Sequence, residues 1–111
     1  MSLLYFDIDE IKAQCDMNYS NYSENGVNYV PCRYSAPGII RALPYLLKYL
    51  GLRASDAGKM VESRFGRIMI KAENDELILW ISTDAMQMGF STGEVARQVA
   101  LVTRGLLLCL E

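Results

Sequence analysis

The stretch Arg67-Ile68-Met69-Ile70-Lys71-Ala72-Glu73-Asn74-Asp75-Glu76-Leu77-Ile78-Leu79-Trp80-Ile81-Ser82-Thr83 decides how the chain is read. Residues 67–71 alternate in the manner of a half-buried strand, Glu73 to Glu76 form a polar turn, and Leu77 to Thr83 supply a second strand. Leu77, Leu79 and Ile81 project to one side of that second strand, and Ile78 and Trp80 to the other. A strand apolar on both faces belongs in the middle of a sheet or under cover on both sides. The rest of the sequence must therefore provide neighbouring strands and a helical layer.

Downstream, Ser91-Thr92-Gly93-Glu94 is a capping box, and Phe90 and Val95 are placed for the accompanying hydrophobic staple. Val95, Val99, Val102, Leu106 and Cys109 then recur at spacings of four and three as one stripe of a long helix. Past Gly105 that helix turns apolar all round, because Leu107, Leu108 and Leu110 join the stripe. Upstream, Ser35 and Pro37 suit a helix entrance, and Ile39, Ile40, Leu43, Leu46, Leu47 and Leu50 make its apolar face. Pro44 removes the donor that would reach Ile40, so it kinks this helix or splits it in two. Gly51 stops it. Residues 55–65 fit either a short helix or a strand.

In the first third, Ile8, Ile11 and Cys15 follow acidic residues at helical spacing, which predicts a short helix from Asp7 or Asp9 to Met17. The Asn-, Ser- and Tyr-rich stretch 18–26 reads as a flexible loop, and Val27 to Arg33 as an extended piece edged by Pro31. The expectation is a single α+β domain over residues 1–111, a small antiparallel sheet packed against two main helices.

With 111 residues, 51% hydrophobic and 22% charged, the chain has the composition of one globular domain. Its lack of histidine excludes Ser-His-Asp triads and His-bearing zinc sites. Cys15, Cys32 and Cys109, odd in number and without a CxxC pair, predict reduced thiols in a cytoplasmic protein. Without a leader-like N-terminus, the sequons Asn18-Tyr19-Ser20 and Asn21-Tyr22-Ser23 signify only a polar loop. The longest apolar run, Leu106 to Leu110, is far short of a membrane span. The net charge of −2 conceals a segregation: residues 1–30 and 72–111 are each acidic at −4, and residues 31–71 are basic at +6. Mutual neutralisation on folding is the expected outcome.

Each candidate for chemistry has a structural reading beside it. Asp7-Ile8-Asp9 has the spacing of an aspartyl-phosphate phosphohydrolase, but the chain is too short for that fold, and Glu10 stands where a hydroxyl residue is expected. Glu73, Asp75 and Glu76 fall short of a calcium loop's ligand set and read as a solvated turn. Gly89 to Gly93 lacks a phosphate loop's lysine. Tyr19, Tyr22, Tyr29 and Tyr34 beside Arg33 suggest stacking on single-stranded nucleic acid, against which stand Asp16, Glu24 and a pI near 5.1. No cofactor and no metal ligand set is expected.

The helix Ala36 to Leu50, Met60-Val61-Glu62-Ser63, Arg67 to Lys71, Leu77 to Asp84, the turn Met86-Gln87-Met88-Gly89 and the closing helix together form a helix, three strands and a helix. This order resembles the second half of the roadblock-type dynein light chain family. The resemblance implies roadblock/profilin-like layering and a non-enzymatic, dimeric adaptor or regulator whose partner is another protein. Small secretion chaperones and related dimeric sensors share a similar layout and supply the alternative, with a nucleic-acid-binding accessory protein as a second. For a homodimer or partner interface, the expected residues are Leu106, Leu107, Leu108 and Leu110 on the closing helix, with Tyr45 and Tyr49 on the earlier one.

Overall fold

The computed structural model describes residues 3–18 and 22–111. Along these the chain forms β1 (Leu3–Ile8), β2 (Ile11–Asp16), β3 (Ser23–Glu24) and β4 (Val27–Ser35), then α1 (Leu43–Tyr49). It continues through β5 (Val61–Ser63), β6 (Gly66–Glu73), β7 (Glu76–Ser82), α2 (Asp84–Gln87) and α3 (Thr92–Leu110). The strands make one antiparallel sheet in the order β1-β2-β4-β7-β6-β5, with β3 added beside the start of β4. Each half of the chain is thus a meander of strands followed by a helix, and the last strand of each meander, β4 and β7, meets the other at the centre.

The decisive hairpin forms as its alternation predicts, with Ile70 opposite Leu79 and Met69 opposite Trp80. Its connection is a two-residue turn in which Asn74 and Asp75 both take positive φ, 53° and 61°, the geometry that matches the twist of the flanking strands. β7 is central, as two apolar faces require: Leu77, Leu79 and Ile81 are buried toward the helices, and Ile78 is buried on the opposite face. Trp80, half-buried on that face, meets the Tyr22 ring edge-on at 5.2 Å.

The first third corrects the sequence reading. There is no helix over Asp7 to Met17; Asp9 and Glu10 form a two-residue turn at φ 42° and 72°, and β1 and β2 pair around it from Ile8–Ile11 to Leu3–Asp16. Ile11, Ala13 and Cys15 alternate inward with exposed Lys12 and Gln14, and this period of two prevails over the helical spacing of Ile8, Ile11 and Cys15. Val27 to Arg33 is extended as expected, but it belongs to a nine-residue strand at the heart of the sheet. Pro31 is tolerated there for a positional reason. Cys15 and Cys32 face each other at a Cα separation of 4.0 Å, the close spacing of a pair that exchanges no main-chain bonds. The main chain of Pro31 therefore points to the β2 side just past the last β2–β4 pair, where its missing donor breaks no rung.

Residues 19–21 of the expected 18–26 loop lie outside the described residues. On its far side, Ser23 and Glu24 pair with Asn28 and Val27 around a turn at Asn25 and Gly26. Ser35 closes β4 and does not cap a helix. The helical piece that follows is split at Pro44, which sits in the first turn of α1 behind a 3-10 turn at Ile39–Ala42. Gly51, at φ 81°, ends it. Its N–H donates to the Lys48 carbonyl and that of Leu52 to Leu47, which satisfies the last helix carbonyls. The ambiguous stretch 55–65 includes the end of a 3-10 turn, Ala54–Asp56, and all of β5.

α3 starts at the predicted box: the Glu94 N–H donates to Ser91 Oγ and the Ser91 N–H to Glu94 Oε1, both at 3.1 Å. Val95, Ala96, Val99, Ala100 and Thr103 are its buried face. The helices cover one face of the sheet, and the core lies between them and the inward residues of β1, β2, β4, β6 and β7.

Candidate interaction surface

The six expected interface residues fall in two places. Leu107 and Leu108 line a cavity of about 420 Å³ at the C-terminal end of α3, together with Asp9, Glu10, Ile11, Ala36, Pro37, Arg41 and Arg104. Leu106 and Leu107 are half-buried and pack on the core, Leu110 is half-buried, and Leu108 is 56% exposed. Arg104 holds Asp9 in an ion pair and so ties the β1–β2 turn to the helix. Tyr49 lies elsewhere. It lines a second cavity of about 550 Å³ with Arg64, Phe65, Phe90, Glu94 and Gln98. From Gln98 to Leu107 a helix climbs about 13 Å, so the two cavities are distinct surfaces along α3. Tyr45, on α1, is 45% exposed.

The second cavity has the more organised chemistry. Arg64 leaves the β5–β6 turn with its main-chain N–H bonded to the Leu50 carbonyl at 3.0 Å, and its Nη1 donates to the Tyr49 carbonyl at 3.2 Å. The guanidinium carbon stands 4.6 Å from the Tyr49 ring centre and 5.9 Å from that of Phe65. Phe65 in turn receives Phe90 edge-on at 5.2 Å. Ser63 shapes the turn beneath them, its hydroxyl donating to the Gly66 carbonyl and accepting from the Phe65 N–H. Met86 and Met88, just before Phe90 in the chain, are exposed. Tyr49 was legible in the sequence as a surplus aromatic, and Phe90, placed there as a staple residue, also packs on Phe65. Arg64 and Phe65 escaped because the strand β5 and its turn were unresolved in the 55–65 pattern, and only the Arg-Phe dipeptide before Gly66 signalled them.

The other sequence candidates are accounted for by packing. Tyr34 is buried and donates its hydroxyl to the Ala96 carbonyl at 2.9 Å, and burial drives its phenol far above the ordinary range. Tyr29 is buried too, and its hydrogen bond to Arg67 raises that guanidinium. Tyr22 is held against Trp80, its phenol raised by a hydrogen bond to Asp16. Tyr19 lies outside the described residues. The proposed nucleic-acid-stacking tyrosines therefore do not form one exposed ladder. In the acidic turn Glu73 pairs with Lys71 at 3.0 Å and Glu76 with Arg33 at 3.8 Å, and this is how basic and acidic blocks meet.

The cysteines depart from expectation. Cys15 and Cys32 form a disulfide between β2 and β4, both fully buried, while Cys109 is a free, exposed thiol. Reduced thiols had been the argument for a cytoplasmic location, and this bond removes it. No helix among the described residues is long and apolar enough to cross a membrane. The chain matches no protein-family model, no curated protein and no solved structure.

Proposed function

We propose that the protein is a non-enzymatic interaction module that works as a dimeric adaptor, with layering of the roadblock/profilin kind. The observation that carries this reading is the cluster of Tyr49, Arg64, Phe65 and Phe90 around an open cavity. Aromatic residues, Met and Arg are the types enriched at the centre of protein interfaces, where a few large side chains supply most of the binding energy. Arg64 is pre-positioned by its bond to the Tyr49 carbonyl, so little side-chain entropy remains to be lost on docking. The exposed Ile40, Tyr45, Leu101 and Leu108 extend apolar surface over the helical layer.

Two measurements test the reading. Sedimentation equilibrium at tens of micromolar returns a dimer; a monomer at that concentration removes the dimeric half of the proposal. Affinity capture with the native chain and with Phe90→Ala tests the adaptor half: a partner retained equally by both refutes the assignment of this cavity.

A further inference from the structure

Among the described residues β1 is an open edge, and its hydrogen-bonding phase can be read from the structure. In a two-residue hairpin the positions flanking the turn exchange both main-chain bonds, so Ile8 pairs in this way with Ile11. By alternation Phe6 and Leu4 also direct their N–H and C=O groups to β2. The close Cα approach of Cys15 and Cys32 gives the same phase independently, since it requires Cys15 to bond toward β1, where Leu4 stands opposite. The main-chain groups of Leu3, Tyr5 and Asp7 therefore face outward, and β1 ends the strand order. The other edge is blunted: β5 has three residues, with Glu62 paired to Arg67. β1 has six residues, no Lys, no Pro and no bulge, and it leaves Leu3 and Tyr5 44% and 54% exposed. Long apolar edges of this kind are normally guarded or paired.

We infer that the occupant of this edge is β1 of a second copy, paired antiparallel about a two-fold axis at Phe6. This rests on the dimeric reading above and places its interface. Self-complementarity selects the partner. About Phe6, Leu4 faces Ile8 of the second copy on the helix side, and Tyr5 faces Asp7 on the open side, so a phenol meets the strand's only charge. The Asp7 carboxylates stand apart on opposite sides of the axis. Tyr5 and Asp7, whose main-chain groups point outward, exchange four N–H···O bonds across the junction. The two Phe6 main chains meet at the closer, non-bonded spacing, while each ring stays buried in its own copy beneath the Arg97 guanidinium, 4.7 Å from the ring centre. The two sheets become one, and exposed Leu3 and Tyr5 gain cover.

The test uses the full chain in a Cys109→Ser background. Tyr5→Pro removes the outward N–H and leaves the β2 ladder intact; it is expected to weaken dimerisation about 10- to 100-fold, as two lost bonds imply. Because a proline variant can fail to fold, cross-linking gives an independent readout. Chains carrying Tyr5→Cys, mixed with chains carrying Asp7→Cys and oxidised, are expected to join as mixed pairs, and neither variant alone cross-links. A monomeric native chain overturns both this inference and the dimeric reading. A native dimer that shows no mixed cross-link overturns the edge assignment alone and leaves the dimeric reading standing.

Discussion

The hydroxyl of Tyr34, on the central strand β4, donates to the main-chain carbonyl of Ala96, on α3, and so joins the middle of the sheet to the closing helix across 62 residues. Tyr34→Phe removes this buried bond and is expected to cost about 1 kcal/mol at neutral pH. The bond's setting also gives a pH signature. Burial raises the folded phenol well above its unfolded value of 10.0. Below that pH both states hold the proton and the contribution is intact. As pH rises past it, the unfolded chain sheds the proton and the folded one does not, so stability falls by about 1.4 kcal/mol per pH unit from this group. Urea unfolding at pH 9 and pH 11, in a Cys109→Ser background to prevent disulfide exchange, is expected to show a steeper loss for the native tyrosine than for Tyr34→Phe.

The Cys15–Cys32 bond closes a 17-residue separation that contains residues 19–21 and the short strand β3. Constraining a loop of that size in the unfolded state is worth about 3 kcal/mol. Thiol titration of the unreduced chain in denaturant is expected to find only Cys109, and all three thiols after reduction. Replacing both bridged cysteines by alanine is expected to lower the urea midpoint by a comparable free energy. Unreduced protein that titrates as three thiols in denaturant contradicts the pairing.

The local and the long-range parts of this fold were unequally legible. The β6–β7 turn and the α3 capping box are written in contiguous residues whose types serve one geometry, and both form where the pattern puts them. The β1–β2 hairpin is not so written: Asp9 and Glu10 carry no glycine, and Ile8, Ile11 and Cys15 satisfy a helical period as well as Ile11, Ala13 and Cys15 satisfy a period of two. What decides between them is tertiary, because β2 finds β4 on one side and β1 on the other. The same applies to the site. Tyr49 could be singled out as a surplus aromatic, but its companion Arg64 comes from a turn after β5, and only the register of β5 against β6 delivers it.

Ser91 Oγ accepts from the Glu94 N–H, one of the first free amides of α3, and the helix N-terminus carries Phe90 and the wall of the candidate cavity, so the cap matters to both stability and site. Ser91→Ala is expected to cost about 1 kcal/mol. Ser91→Asp, which keeps an acceptor and suits the positive end of the helix, is expected to retain most of that stability. Chemical denaturation of the three proteins side by side is the measurement, and equal midpoints for native and alanine forms contradict the role given to the box.

Arg64 separates interaction from folding. It is exposed, so its contact with the Tyr49 ring contributes only about 0.5–1 kcal/mol, and Arg64→Ala is expected to leave the unfolding midpoint nearly unchanged. At an interface the same side chain is desolvated between Tyr49 and the partner, and truncating an arginine of this kind costs about 2 kcal/mol or more, a loss of about 30-fold in affinity. Arg64→Lys keeps the charge but loses the planar stacking group, and is expected to fall between the two. Affinity for a partner captured on the native chain, measured for all three proteins beside their denaturation curves, distinguishes a docking residue from a structural one. A variant that binds as the native chain does shows that the cavity is not the docking surface, and one that loses stability in proportion to binding shows that Arg64 acts on the fold.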